Sequence, residues 1–398
     1  MRPRRPSGLY FQRLRLENWK NFTQAEIALQ PRTFLAGPSA CGKSNLFDAF
    51  RFLHDLARAG GGFADAVAAR QGVGKLRSLA ARQSSGIGIA VQLGTGEEPG
   101  LWEYELHFSE GEARRPEITR ERVAHRGEDL VQRPDPDDER DPERLTQTFL
   151  EQSTVNREFR EVAALFRSIR YVHPVPQLMR GPARGIPRHN DPHGSDFLER
   201  IVQTPQNTRA SRLRRIAGVL RAAVPQLQEL ELYWDEARGT PHLRGKYRHW
   251  RPQGAWHNED QFADGTLRLF ALLWAAAEES GPLLLEEPEL SLHPDLVSQI
   301  PRMLAAMRLR GGRQIFISTH AEAILRDEDI GPGEVLLLIP ETEGTVVRPA
   351  DAVRQVASLL CGGLGQPETP AGAGSPGVEQ LSLFRAAREA CSTEPPVA

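Results

Sequence analysis

The sequence predicts an α/β fold, a mixed β-sheet flanked by helices. Three observations predict it. A short apolar strand, Thr33-Phe34-Leu35-Ala36, runs into a glycine loop and then a helical stretch from Asn45 to Leu53. A second apolar strand, Leu283-Leu284-Leu285, ends in Glu286 and Glu287. A third, Gln314-Ile315-Phe316-Ile317-Ser318, ends in Thr319 and His320.

The glycine loop is Gly37-Pro38-Ser39-Ala40-Cys41-Gly42-Lys43-Ser44, the pattern G-x-x-x-x-G-K-[ST]. Strand, loop and helix are the context this phosphate-binding motif needs. Its backbone N–H groups curl round phosphate oxygens, and the helix N-terminus adds a positive dipole end. Chance would give the pattern in a chain of this length on the order of 1% of the time. Gly37, Ser39, Gly42, Lys43, Ser44 and Asn45 are therefore the candidate nucleotide-binding residues. Lys43 would reach the terminal phosphates, and Ser44 would place its hydroxyl on Mg2+.

The acid-ended strand supplies the next parts. Glu286 is the candidate Mg2+ ligand, directly or through water, and Glu287 the group that orients and polarises an attacking water. Phosphoryl transfer is mostly positioning and charge stabilisation, so these are the parts it needs. By itself an apolar run with trailing acids is weak, since many strands end in acidic turns. Beside Lys43 and Ser44 the functional reading prevails. His320, at the C-terminal end of its strand, points into the ligand crevice of a parallel sheet; alone it would read as a satisfied core histidine. A fourth element, Phe262-Ala263-Asp264-Gly265-Thr266-Leu267-Arg268, is a small-residue turn opening the helical run Leu269–Trp274. It is a second place where phosphate meets backbone N–H groups.

In their order along the chain the four elements resemble the ABC-type ATPases of the SMC, RecF and OLD kind, and more narrowly the bacterial AAA family ATPases related to OLD and RecF. The carrying residues are the Lys43 loop, the signature Ala263-Asp264-Gly265-Thr266-Leu267-Arg268, and Glu286-Glu287-Pro288-Glu289-Leu290-Ser291-Leu292-His293-Pro294 as Walker B and D-loop. Ser318-Thr319-His320 is the switch. The opening strand Phe11–Phe22, with Asn18-Trp19-Lys20-Asn21-Phe22, is similar to the first strand of these proteins. The resemblance spans about residues 9 to 350. It implies a P-loop NTPase head of ABC type, ATP and Mg2+ as ligands, and two heads that sandwich two ATP molecules. Lys43, Ser44, Glu286, Glu287 and His320 would act in one subunit, while Ala263, Asp264, Gly265 and Thr266 face the ATP of the other. The default partner is thus a second copy in a C2 dimer.

The sequence departs from the family pattern in places. The signature serine that faces the γ-phosphate in trans is Ala263, and losing a hydrogen bond to a charged group costs roughly 1.5–3 kcal/mol. The Mg2+ carboxylate is Glu286 where transporter-like members carry Asp, and His293 stands at the usual D-loop aspartate; both occur in OLD-like relatives. Cys41 marks the loop as sensitive to oxidation. Gln71 is one candidate for the Q-loop glutamine.

Length and composition bound the rest. A chain of 398 residues with 39% hydrophobic content can build a sizeable core, and its length allows two or three domains or one large head with insertions. The expected division is a basic tail 1–8, then an N-terminal part of the head, 9–130, with the Lys43 loop and an antiparallel β-meander. An inserted helical region, 131–232, follows. The C-terminal part of the head, 233–350, carries signature, Walker B and switch; short helices and a disordered tail occupy 351–398. Residues 134–145 read as a polar loop, and Glu334–Glu341 as an edge strand of the ATPase sheet. Net charge is −2, so no global basic signal points to nucleic acid. Only four of the 50 basic residues are lysines, Lys20, Lys43, Lys75 and Lys246, which the arginine codons of a GC-rich genome explain. Cysteines at 41, 361 and 391 have neither metal nor disulfide spacing, as expected in a reducing cytoplasm. No apolar run reaches transmembrane length, so no membrane partner is expected.

Between Ser44 and Asp264 no heptads are sustained, which excludes the long coiled coil of SMC proteins. After His320 no clustered carboxylates follow, so the chain reads as a head without the OLD nuclease domain. Lys246-Tyr247-Arg248-His249-Trp250-Arg251 with Trp256-His257 is either a nucleic-acid surface of interleaved charge and rings or a hairpin packed under the signature helix. Arg180, Arg184 and Arg188 lie in a glycine- and proline-spaced loop, read first as solvated. The expected function is a cytoplasmic ATPase that dimerises on ATP and is coupled to DNA repair or anti-phage and plasmid defence, with double-stranded DNA as candidate partner. The alternative is an ATP-bound scaffold or sensor for a separate effector protein, with slow or no turnover.

Overall fold

The computed structural model describes residues 8–81, 86–180, 191–250, 254–278, 281–307, 312–325 and 327–353. Residues 1–7 of the basic tail, Arg184, Arg188, Arg251, Cys361, Cys391 and the C-terminal tail from 354 lie outside the described residues. The chain forms two compact units. One comprises Met1–Ile169, Gly311–Glu322 and Glu328–Ala398; the other comprises Arg170–Arg310 and Ala323–Asp327.

In the first unit, period-two alternation builds the antiparallel meander. Strands β1 (Tyr10–Trp19), β2 (Phe22–Ala28), β4 (Ile87–Gly94), β5 (Trp102–Glu110), β6 (Pro116–His125) and β7 (Glu128–Arg133) form one sheet in the order β2-β1-β4-β5-β6-β7. Leu14 lies opposite Ile27 and Val91, and Leu16 opposite Ala25 and Ile89, so the apolar set of each strand shares one face. Strand β3 (Arg32–Ala36) starts a second sheet and leads through the glycine loop into helix α1 (Lys43–Ala57). Phe50 of α1 meets the ring of Phe11 at 5.1 Å and that of Phe316 at 4.9 Å, which fixes the helix against its neighbours.

The polar stretch 134–145 is more ordered than a loop. It holds a helical turn, Pro136–Arg140, capped by the Asp135 carboxylate, and a 3-10 turn, Pro142–Thr146. The reason is Arg133. Its guanidinium donates to Glu121 at 3.0 Å, to both oxygens of Asp138 at 2.9 Å, and to the carbonyls of Gln147 and Arg144 at 2.8 Å. Arg133, Glu121 and Asp138 side chains are 0% exposed. Of the charges in this stretch, Asp138 is folded inward against the Arg133 cation, while Asp137, Glu139, Arg140, Asp141 and Glu143 stay exposed.

Glu151 accepts the N–H of Phe63 at 2.5 Å, at the start of helix α2 (Phe63–Ala68). Burial raises its pKa from 4.5 to about 7; the Phe63 N–H opposes this and the charge of Glu121 adds to it. A carboxyl raised in the fold contributes full stability below its unfolded pKa and loses that contribution as pH rises through the folded value. Between pH 4.5 and about 7 the wild type therefore loses stability at this site. Glu151→Gln should remove this part of the decline, narrowing the drop in Tm by about 2–4 °C in thermal scans across that range. Parallel Tm–pH curves for both proteins would sink the assignment.

The second unit opens with β8 (Arg170–Val172) and carries helices Phe197–Gln203 and α3 (Gln206–Leu220), part of the helical insertion. Strands β9 (Leu227–Asp235), β10 (Thr240–Tyr247) and β11 (Ala255–Asn258) form an antiparallel sheet in the order β11-β10-β9. The aromatic cluster is partly packed and partly open. Tyr247 packs on Phe262 with centroids 6.1 Å apart. Arg244 lies over Tyr233 at 4.0 Å and Trp256 at 4.6 Å, and Trp250 is 79% exposed. Helix α4 (Asp264–Ala277) is buried from Leu267 onward, and β12 (Leu283–Glu286) pairs parallel with β8, Leu285 opposite Val172.

The chain then returns to the first unit with β13 (Ile315–Thr319), β14 (Val335–Glu341) and β15 (Gly344–Pro349), giving the order β15-β14-β3-β13 there. β13 and β14 run parallel to β3, while β15 is antiparallel to β14. The stretch read as an edge strand, β14, is thus interior. A tight reversal with Gly344 at φ 127° lets β15 cover it. Among the described residues no helix is long and apolar enough to cross a membrane.

Candidate nucleotide site

In the first unit the chain builds the loop as the sequence predicts. Ala40 and Gly42 both take left-handed backbone, φ 62° and 103°, which turns successive N–H groups inward. Gly42 is the N-cap of α1, with no side-chain cap and no acid in the first turn, so the helix end keeps its donors for an anion. A Cβ on Gly42 would lie 2.0 Å from Asn21 Nδ2, and one on Gly37 would lie 2.8 Å from the Leu338 carbonyl. Only glycine fits either place. Lys43 is 5% exposed and donates to the carbonyls of Gly37 at 2.8 Å and Pro38 at 3.0 Å, folded across its own loop. Ser39 and Ser44 are exposed and Asn45 half-buried. The Thr319–Ala36 register brings His320 out beside the start of the loop.

Asn21, which sequence reasoning listed only within the first-strand phrase, holds this loop. Its amide donates to the Cys41 carbonyl at 3.1 Å and to Thr345 Oγ1 at 2.7 Å, and its oxygen accepts from Asn45 at 2.7 Å. Thr345 Oγ1 also donates to the Cys41 carbonyl at 2.8 Å. Asn45 thus braces the loop through its side-chain amide. Cys41 is 0% exposed, and burial pushes its thiol above the usual range against the pull of Lys43. Low thiolate content and no access argue against the expected oxidation sensitivity. Gln71 is exposed and lines a cleft with Lys20, Asp48, Arg51 and Lys75, apart from the loop residues.

In the second unit, Glu286 ends β12 with 8% exposure, and its carboxylate accepts from the hydroxyl of Tyr171 on the adjacent strand. Nothing in the sequence signalled Tyr171; only strand pairing puts it there. Glu287 is half-buried with φ 42° directly before Pro288. A non-glycine residue in that region costs of order 1–3 kcal/mol and is held only where its surroundings fix it. Ala263 is exposed and caps α4, and Asp264 begins the helix. A Cβ on Gly265 would lie 2.9 Å from the Ser291 carbonyl, so signature and D-loop pack closely within this unit. Thr266 is half-buried. Arg180 corrects its solvated reading: it pairs with the Asp264 carboxylate and donates to the Phe262 carbonyl at 2.9 Å, while Gln177 reaches Asp264 at 3.2 Å. His293 caps the short helix Pro294–Val297 through Nδ1.

With this geometry in view, residues 32–326 match the family described as "AAA domain, putative AbiEii toxin, Type IV TA system". The chain belongs to this family. No curated protein matches it. Among solved structures, this AAA-domain chain is similar to an SMC head bound to the C-terminal winged-helix domain of ScpA. The TM-score is 0.54 at 12% identity, over 85% of this chain and 97% of that one. It is also similar to the SMC head of Pyrococcus furiosus with an extended coiled coil, bound to the C-terminal domain of ScpA. There the TM-score is 0.52 at 9% identity, covering 88% of this chain and 98% of that one. Identities this low speak for fold alone, and the fold is that of an ABC-type P-loop ATPase head. The AAA domain implies nucleotide binding with Mg2+. Mg2+ takes hard oxygen donors, usually one or two carboxylates with phosphate oxygens. The Ser44 hydroxyl in the first unit and the Glu286 carboxylate in the second are each a donor of that kind.

Proposed function

We propose that this AAA-domain protein binds and hydrolyses ATP and dimerises on it. The observation that carries the reading is the Lys43 loop, with its inward N–H groups, its two glycine approaches and a helix end free of acid. Lys43 would leave the Gly37 and Pro38 carbonyls to neutralise the terminal phosphates. Ser44 and Glu286 would hold Mg2+, which supplies further charge neutralisation at the phosphate oxygens. Glu287 would orient the attacking water and accept its proton, and His320 would contact the terminal phosphate. Ala263, Asp264, Gly265 and Thr266 would face the ATP of a second copy. Asp264 would exchange Arg180 and Gln177 for contacts across that interface.

DNA repair or defence against phage and plasmids, with double-stranded DNA as partner, rests on resemblance to the family. The second reading, an ATP-bound scaffold for a separate effector, is favoured by Ala263, which lacks the hydroxyl of the usual signature serine. The separating experiment measures ATP turnover with and without double-stranded DNA, and the mass of the protein with and without ATP. ATP-dependent doubling of mass with DNA-stimulated turnover is the expected result. ATP binding without turnover, or turnover blind to DNA, would move the assignment to the scaffold. No ATP binding at all would end both readings.

A further inference from the structure

Arg268 lies in the first turns of α4, the helix opened by Ala263–Thr266. It is 5% exposed, yet among the described residues its Nε and Nη1 have no hydrogen-bond partner. Burial disfavours its charge, and Asp264, Glu287 and Glu289 are the carboxylates whose fields favour it. Asp264 already binds Arg180 and Gln177. Glu289 is itself 6% exposed. A buried guanidinium with donors unmet calls for a partner supplied in another arrangement of its surroundings. The neighbouring turn offers one, because Glu287 is held at φ 42° before Pro288, a strained backbone that can relax.

We propose that Arg268 is a positioning residue: its guanidinium anchors the Glu289 carboxylate when the turn after β12 rearranges, and so sets where Glu287 points. The signature helix is thereby tied to the residue that handles the water. This role rests on the ATPase reading for its purpose, but the contact itself is testable without turnover.

The test is a cycle of Arg268→Met, Glu289→Gln and the double variant, with Arg268→Lys alongside. ATP affinity should stay within about threefold, while kcat of Arg268→Met falls roughly 100-fold, the scale of a small misplacement of a catalytic group. Arg268→Lys should recover part of that loss, and the double variant should be no slower than the worse single one. With ATP bound, the state in which the turn would rearrange, the Tm shifts of the single variants should not add in the double. Unchanged kcat in Arg268→Met, or multiplying kcat losses with additive Tm shifts, would overturn the proposal. If Arg268→Met does not fold, Arg268→Lys with Glu289→Gln carries the same cycle. Wild type that binds but does not turn over ATP would refute the ATPase reading alone. The Tm cycle would then still decide Arg268: non-additive shifts support it, additive shifts overturn it.

Discussion

Glu287→Gln is expected to lower ATP turnover by roughly 10²–10⁴-fold, the range a positioned proton acceptor contributes. Glutamine matches glutamate in shape, so the backbone at φ 42° and the approach to Pro288 are kept. What is lost is a group that can take a proton from water. On the proposed reading ATP is held by the Lys43 loop in the first unit, so binding should be unchanged. With binding intact and hydrolysis removed, the variant should accumulate as an ATP-bound dimer, seen as a doubled mass that ADP does not produce. Turnover equal to wild type would remove Glu287 from the chemistry and leave Glu289 as the next residue to test.

The largest stability effect is expected at Arg133. Arg133→Met removes a cation that five hydrogen bonds tie to Glu121, Asp138 and two carbonyls. Both carboxylates stay buried, and Glu121 is already raised by burial with the arginine present. Breaking one partner out of a buried ionic cluster costs about 3–5 kcal/mol, because it strands charge in a low dielectric. A fall in Tm on the order of 10 °C should follow. Adding Glu121→Gln and Asp138→Asn should recover much of it, since the stranded charges then go. A Tm within a degree of wild type for Arg133→Met would mean the cluster adds little to stability.

The Arg133 cluster also shows why parts of the chain were not legible. Composition alone makes Pro134–Leu145 a polar loop, because nothing local tells that Arg133 will be enclosed by Asp138 and Glu121. β14 was misplaced for a related reason: its apolar run is equally good at an edge or in the interior, and only the hairpin through Gly344 decides. The loop from Gly37 to Ser44, the acid-ended β12, β13 and the start of α4 were legible because each is a local phrase with its own spacing. Tyr171, Asn21 and Arg180 were not assigned these contacts because their partners lie far along the chain. Arg180 meets Asp264 across 84 positions, and Asn21 meets Thr345 across 324.

That last contact has a consequence for how the protein is made. The glycine loop is synthesised early, yet the Thr345 hydroxyl and the amide of Asn21 share one carbonyl of the loop, that of Cys41. At the usual 5–20 residues per second, some 300 positions take about 15–60 s to leave the ribosome. During that interval the nascent chain carries the whole phosphate-binding phrase without its last brace. Competence to grip a nucleotide would then arrive late in synthesis, once the hairpin of β14 and β15 has closed over β3. A ribosome-stalled chain ending before Gly344 would carry every motif residue from Gly37 to His320 and still lack a finished loop.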